Sequence, residues 1–241
     1  MTRRRFIADH WTSDTATLTG DQAGHLARVL RAEPGQIFDV VAGGFLHRAE
    51  ITSVSEDEVH FTLHEELESD TVLPLHLLLA IFKFDHMEWA IEKATELGVS
   101  RITPILARRT EKHLALASAK RVERWRRIAL EASKQSRRTS IPEIATPQTL
   151  KATLEQEQSP ARILLSETEQ ATTLSAALTA VHRSADYESV ALAIGPEGGW
   201  TPEEMALFTS HHWTPVTLGP RILRAETAAI AAIAILSSHL L

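Results

Sequence analysis

The 241-residue chain has no cysteine, which removes disulfides, thiolate metal sites and cysteine nucleophiles together. It also lacks a long apolar run. The longest, Ala228 to Leu236, is about half of what a bilayer span needs. The basic start, Met1 to Arg5, is followed by Asp9, His10 and Asp14, not by an apolar signal stretch. We therefore expect a soluble cytoplasmic protein with no membrane partner. No G-x-x-x-x-G-K-S/T is present, and no G-x-G-x-x-G follows a strand, so the common phosphate cradles are absent. Twelve histidines invite a metal, but there is no H-E-x-x-H, and adjacent His211 and His212 point apart on a helix. No metal site is expected. No G-x-S-x-G supports a hydrolase. There is no internal repeat and no low-complexity tract.

What is present points to a folded protein with a local basic patch. Hydrophobic residues make up 44% of the chain, enough for a sizeable core. The net charge of -6 argues against a nucleic-acid partner until the charge is placed along the sequence. Residues 101–138 hold twelve Lys/Arg against three Asp/Glu, while residues 32–73 hold one against ten. A phosphate backbone responds to local potential, not to the total. The bland alternative is a solvated helix face rich in arginine.

The first seventy residues read as β-rich, with strands over 36–41, 45–53 and 58–64 and a Gly43-Gly44 turn between the first two. A short helix over 21–31 precedes them, with Thr19 and Gln22 as its capping box. The acidic stretch 65–70 reads as a linker. From Pro74 the pattern becomes strand–helix alternation, with strands near 75–82, 101–106, 141–144, 161–165, 190–194 and 215–218. That alternation predicts an α/β domain with a parallel sheet covered on both faces. Asp85 and Glu88 begin one helix and Gly98 stops it. Ser118 caps another, whose apolar stripe is Val122, Trp125, Ile128 and Ala132. Thr201-Pro202-Glu203-Glu204 is a helix start with a capping threonine, an early proline and first-turn acids. The last helix, from about Arg224, is alanine-rich and apolar nearly all round, which predicts burial within the subunit or across a dimer interface.

Two segments carry the most chemistry. Ile194-Gly195-Pro196-Glu197-Gly198-Gly199 follows the apolar run 190–194. Leu218-Gly219-Pro220-Arg221-Ile222-Leu223-Arg224-Ala225-Glu226-Thr227-Ala228 follows 215–217. Each reads as a buried strand that stops at glycine and gives way to a helix. Ligands of open α/β sheets bind outside the carboxyl ends of strands, and glycine lets a ligand approach the backbone. Without a phosphate cradle, such a pocket suits a cofactor read through adenine, ribose and amino-acid groups. Taken singly, each segment is also an ordinary turn.

With three further stretches, these segments resemble the SPOUT superfamily of RNA methyltransferases, most closely the small-subunit ribosomal RNA uridine-N3 methyltransferases. The further stretches are Lys83-Phe84-Asp85-His86-Met87-Glu88-Trp89 leading to residues 93–99, Ala132-Ser133-Lys134-Gln135-Ser136-Arg137-Arg138 leading to 141–144, and His25-Leu26-Ala27-Arg28-Val29-Leu30-Arg31. The resemblance covers nearly the whole chain. It implies a PUA-like β-barrel over 1–70 and a SPOUT domain with a C-terminal trefoil knot over 74–241. It implies S-adenosyl-L-methionine (AdoMet) as methyl donor, held by Leu165, Gly195, Pro196, Glu197, Gly198, Gly199, Leu218, Gly219, Ile222, Leu223, Thr227 and Ala228.

The partners it implies are ribosomal RNA, within the assembled small subunit, and a second copy of the chain. The expected RNA face comprises Arg3, Arg4, Arg5, His25, Arg28, Arg31, Arg109, Gln135 and Arg138. Uracil N3 is a poor nucleophile while protonated, so a base, or donors near the carbonyl oxygens, must favour its anion. Arg224 is the expected charge stabiliser. Glu226 is its expected partner, either orienting Arg224 or assisting proton removal. An acid in a first helical turn equally needs no catalytic role. Two positions depart from the family. Phe84 and Arg137 stand where glycine is usual. The rival functions are methyl transfer to another RNA or to a ribose 2′-hydroxyl, and a non-catalytic RNA-binding assembly factor.

Overall fold

The computed structural model describes residues 5–68, 72–182 and 189–240. Their contacts form two compact units, Met1–Thr71 with Ser133–Ser140, and Val72–Ala132 with Ile141–Leu241.

The first unit is a six-stranded sheet with a short helix. Its strands are β1 (Arg5–Ile7), β2 (His10–Trp11), β3 (Thr15–Thr19), β4 (Ile37–Ala42), β5 (Phe45–Val54) and β6 (Glu58–Leu67), in the order β1-β4-β5-β6-β3-β2. One extended segment supplies both edges: β1 pairs with β4, and β2 pairs with β3. Between them, the Ala8 amide donates to Val41 and the Asp9 amide to Thr17. The sheet therefore curls and is joined edge to edge around a core of Leu18, Leu26, Val40, Ile51 and Phe61. The three predicted hairpin strands are found. The acidic stretch is not all linker, because β6 runs on through Glu65 and Glu66 to Leu67, paired with Leu46 and His47. Ser69 and Asp70 lie outside the described residues.

Helix α1 (Gly20–Gly24) runs into a π-helical turn, His25–Val29, closed by the Leu30 amide on the His25 carbonyl. The expected capping box is not formed. Asp9 takes both the Thr19 amide and hydroxyl, and the Gln22 side chain donates to the Ile7 carbonyl. The competing acceptors lie on the strand alongside.

The second unit is wholly parallel. Its strands are β7 (Leu73–Ala80), β8 (Val99–Leu106), β9 (Glu143–Ile144), β10 (Gln148–Thr149), β11 (Ala161–Leu165), β12 (Val190–Ile194) and β13 (Thr214–Val216). The order is β10-β8-β7-β12-β11-β13, with β9 also on β8. Its helices are α2 (Phe84–Glu96), α3 (Lys112–Ser118), α4 (Val122–Gln135), α5 (Leu150–Gln156), α6 (Leu174–His182), α7 (Pro202–Ser210) and α8 (Ala225–Leu240). Alternation along the central strands explains two covered faces. Leu75, Leu77, Leu79, Leu192 and Ile194 enter one core with residues of α2, α4, α6 and α8. Leu78, Ala80, Ala191 and Ala193 enter the other with residues of α5 and α7. No described helix is long and apolar enough to cross a membrane.

Gly98 ends α2 as predicted, in a left-handed conformation. The α7 capping box is fully formed between Thr201 and Glu204. Ser118 is not a cap: it lies in the last turn of α3, and its hydroxyl donates to Ala115. The α4 stripe is buried at Val122, Trp125 and Ala132, with Ile128 packed at its margin. Helix α8 is buried on one side only, at Ala225, Glu226, Ala229, Ala232, Ile233 and Leu236, whereas Ala234 is exposed.

Candidate active site

Strands β12, β11 and β13 are neighbours, and their carboxyl ends are level. Leu164 lies between Ala193 and Pro215, and Leu165 pairs with Val216. Both glycine segments therefore leave the same edge of the sheet, with Leu165 at the end of the strand between them.

The β12 loop is tightly built. The Gly199 amide donates to Pro196, and Gly199 itself has φ 71°, which disfavours any residue with a Cβ. A Cβ on Gly195 would lie 3.1 Å from the Trp200 indole nitrogen, and one on Gly198 would lie 3.3 Å from Arg109 Cδ. Pro196 is buried and Glu197 exposed. In the β13 loop the Thr217 hydroxyl bonds the Gly219 amide and carbonyl. Gly219 has φ 116° and open space where a Cβ would stand. Leu218 and Leu223 are half-buried, and Ile222 is 84% exposed. Thr227 is exposed and Ala228 half-buried in the first turn of α8. Open main chain beside aliphatic side chains fits a cofactor held through backbone groups.

Arg109, expected on the RNA face, reaches this loop: its guanidinium donates to the Gly198 carbonyl. Glu204 ties the same two segments, taking the Arg108 amide at 2.7 Å and the Thr201 amide at 2.8 Å.

Arg224 is exposed and makes no ion pair or side-chain hydrogen bond among the described residues. Glu226 does not orient it. The Glu226 carboxyl is buried and faces His86 of α2, with Oε1 3.3 Å from Nδ1. Its Oε2 has no partner among the described residues. Sequence reasoning passed over His86, although it lies in one of the stretches that carry the family resemblance. The pairing joins the starts of two helices far apart in the chain, which periodicity does not reveal.

The expected RNA residues of the first unit divide. His25, Arg28, Arg31 and Gln135 are exposed. Arg5 donates to the Arg137 carbonyl. Arg138 is buried, with 8% exposure, and burial pushes its guanidinium down to about 10. It is part of the interior and not of an exposed face, contrary to expectation. Arg3 and Arg4 lie outside the described residues.

A cavity of about 710 Å³ lies at the opposite end of the parallel sheet, lined by Pro74, His76, Arg101, Gln148 and Glu157 among others. His76 and Glu157 there bond each other, and His76 also bonds Thr103, whereas the glycine loops offer open main chain, so we place the site at the glycine loops.

Residues 69–237 match the family model described as an RNA methyltransferase domain. Residues 18–63 match the RNA methyltransferase PUA domain. Ribosomal RNA small subunit methyltransferase E of Synechocystis is 36% identical, over 91% of this chain and 72% of its own. The chain belongs to the ribosomal RNA small subunit methyltransferase E family. The Bacillus subtilis member is 33% identical over 92% of this chain and 90% of its own. The Neisseria gonorrhoeae member, solved bound to S-adenosyl methionine, superposes with a TM-score of 0.82 at 28% identity, over 98% of both chains. A putative methyltransferase from Legionella pneumophila, in complex with the same cofactor, gives 0.80 at 30% identity, over 99% of this chain and 98% of that one. The expected α/β architecture, with a PUA domain before an RNA methyltransferase domain, holds.

Proposed function

We propose that this family member transfers a methyl group from AdoMet to N3 of a uridine in small-subunit ribosomal RNA. The observation that carries the reading is the pair of glycine loops leaving neighbouring strand ends, with Arg224 and Glu226 at the junction of the second loop and α8. AdoMet supplies a methyl carbon already activated by positive sulfur. Leu165, residues 195–199, Leu218, Gly219, Ile222, Leu223, Thr227 and Ala228 hold it. The chain's task is then to place the base and remove its N3 proton.

Arg224, exposed at the rim, offers a cation to the uracil oxygens as negative charge develops there. Glu226, two residues further along the chain and buried, accepts the proton at its unpartnered oxygen Oε2. His25, Arg28, Arg31 and Gln135, together with Arg5, contact phosphates and bases of the RNA. The assembled small subunit is the substrate, and the protein works in the cytoplasm as a homodimer that uses the exposed side of α8. The C-terminal path through the β12 and β13 loops is the family's knot.

Mass spectrometry of small-subunit ribosomal RNA nucleosides from a deletion strain tests the reading. Loss of 3-methyluridine, restored by the wild-type chain, is expected. Unchanged 3-methyluridine, or loss of a ribose methyl in its place, overturns it.

A further inference from the structure

Glu226 is 3% exposed, yet its carboxyl is not satisfied among the described residues. Oε1 lies 3.3 Å from His86 Nδ1 without a formed hydrogen bond, and Nδ1 has no other partner. Oε2 has none among the described residues. A buried polar atom without a partner costs on the order of 1–3 kcal/mol, and more if charged. The histidine nitrogen faces the carboxyl that carries the second such atom, at the starts of α2 and α8, next to the loop that carries Arg224. His86 is only partly buried, with its other nitrogen 3.8 Å from exposed Asp85. Catalytic hydrogen bonds are often long in the unliganded enzyme and tighten when substrate is bound.

We propose that His86 is a positioning residue for the methyl transfer: its Nδ1–H takes up Glu226 Oε1 and so presents Oε2 to the substrate proton. The proposal rests on the N3 reading above. In the step, the N3–H bond breaks and its proton goes to Oε2. The N3 electron pair bonds the methyl carbon, whose former bonding pair stays on the donor's sulfur. The proton leaves to water with product release.

Asparagine places its amide nitrogen where histidine has Nδ1, whereas glutamine's lies nearer to Nε2. The test compares His86→Asn, His86→Gln and His86→Ala in the full chain. It uses single-turnover methylation of small subunits lacking the methyl, calorimetry with AdoMet, and thermal melting. His86→Ala and His86→Gln should lose about ten- to a hundred-fold in rate, the scale of a misplaced catalytic group. His86→Asn should keep most of it. AdoMet affinity and melting temperature should stay within error of wild type in all three. Full rate in His86→Ala overturns the proposal. Equal loss in all three, or loss that tracks melting or AdoMet affinity, also overturns it and leaves His86 a packing residue. If wild type delivers the methyl to an atom other than N3, the product nucleoside reveals that separately, and both readings fall.

Discussion

His76 Nδ1 lies 2.5 Å from Glu157 Oε2, and His76 Nε2 lies 2.8 Å from the Thr103 hydroxyl, so one imidazole bridges β7, β8 and the turn before β11. Burial alone would push the Glu157 carboxyl up. Hydrogen bonds from His76 and Ser159 outweigh it and hold the group at about 2, below its ordinary 4.5. A carboxyl depressed on folding stabilises above its unfolded value and loses that contribution as pH falls through the folded one. Stability should therefore fall between about pH 4.5 and pH 2, by on the order of a few kcal/mol from this group. Denaturation of Glu157→Gln across that window should show a flatter pH slope and lower stability at neutral pH. An unchanged slope would refute the pairing.

Arg137 has φ 61°, a left-handed conformation that costs an ordinary residue about 1–2 kcal/mol. It closes α4: the Arg138 amide donates to Ser133 at 3.0 Å and the Arg137 amide to Lys134 at 3.3 Å, a Schellman arrangement whose turning position favours glycine. Arg137→Gly should stabilise the protein by about 0.5 kcal/mol after glycine's greater unfolded freedom is subtracted. Chemical denaturation showing a loss would count against the helix-end account.

Gly219 at φ 116° combines a backbone that strains any residue with a Cβ with open space beside it. Gly219→Val should weaken AdoMet binding at least about tenfold through altered loop geometry. Calorimetry showing undiminished affinity removes the β13 loop from the cofactor site. Gly198→Val acts differently, because its side chain first meets the movable Arg109.

Arg224→Ala should lower turnover by about two to three orders of magnitude while AdoMet affinity is kept. High pH should restore part of the rate by ionising the uracil in solution. Loss of turnover explained wholly by loss of cofactor binding would place Arg224 in the cofactor site and not at the base.

The two sides of α8 separate folding from assembly. Ala229 is fully buried in the subunit, so Ala229→Arg should yield insoluble or unfolded protein. Ala234 is exposed, so Ala234→Arg should stay folded, and the proposed dimer predicts that it sediments as one chain where wild type should sediment as two. A folded wild-type monomer at working concentration refutes the dimer.

Much of the second unit was legible because its central strands are apolar runs stopped by glycine, and its helices carry local start and stop signals. Strand 190–194 and the Thr201–Glu204 box appear where expected. The curled sheet was less legible: β1 and β2 are three and two residues long, and their pairing with opposite edges is a long-range fact. Thr19 shows a local rule overridden by a carboxylate between two neighbouring strands. Phe84, at a position where glycine is usual, is accommodated by an edge-on Trp125 at 6.0 Å and by Arg121 4.7 Å above its ring. No pattern near Phe84 announces either neighbour. The site loops were readable as loops. That Glu226 turns to His86, and Arg109 to Gly198, depended on the packed helices and sheet order.

The double duty of Glu204 limits how this site can be rebuilt. One carboxylate closes the helix after β12 and fixes the start of the loop after β8. Transplanting either loop from a relative, without its counterpart, would leave a buried acid with half of its donors missing. The two loops are held as one part, and successful chimeras should exchange them as a pair.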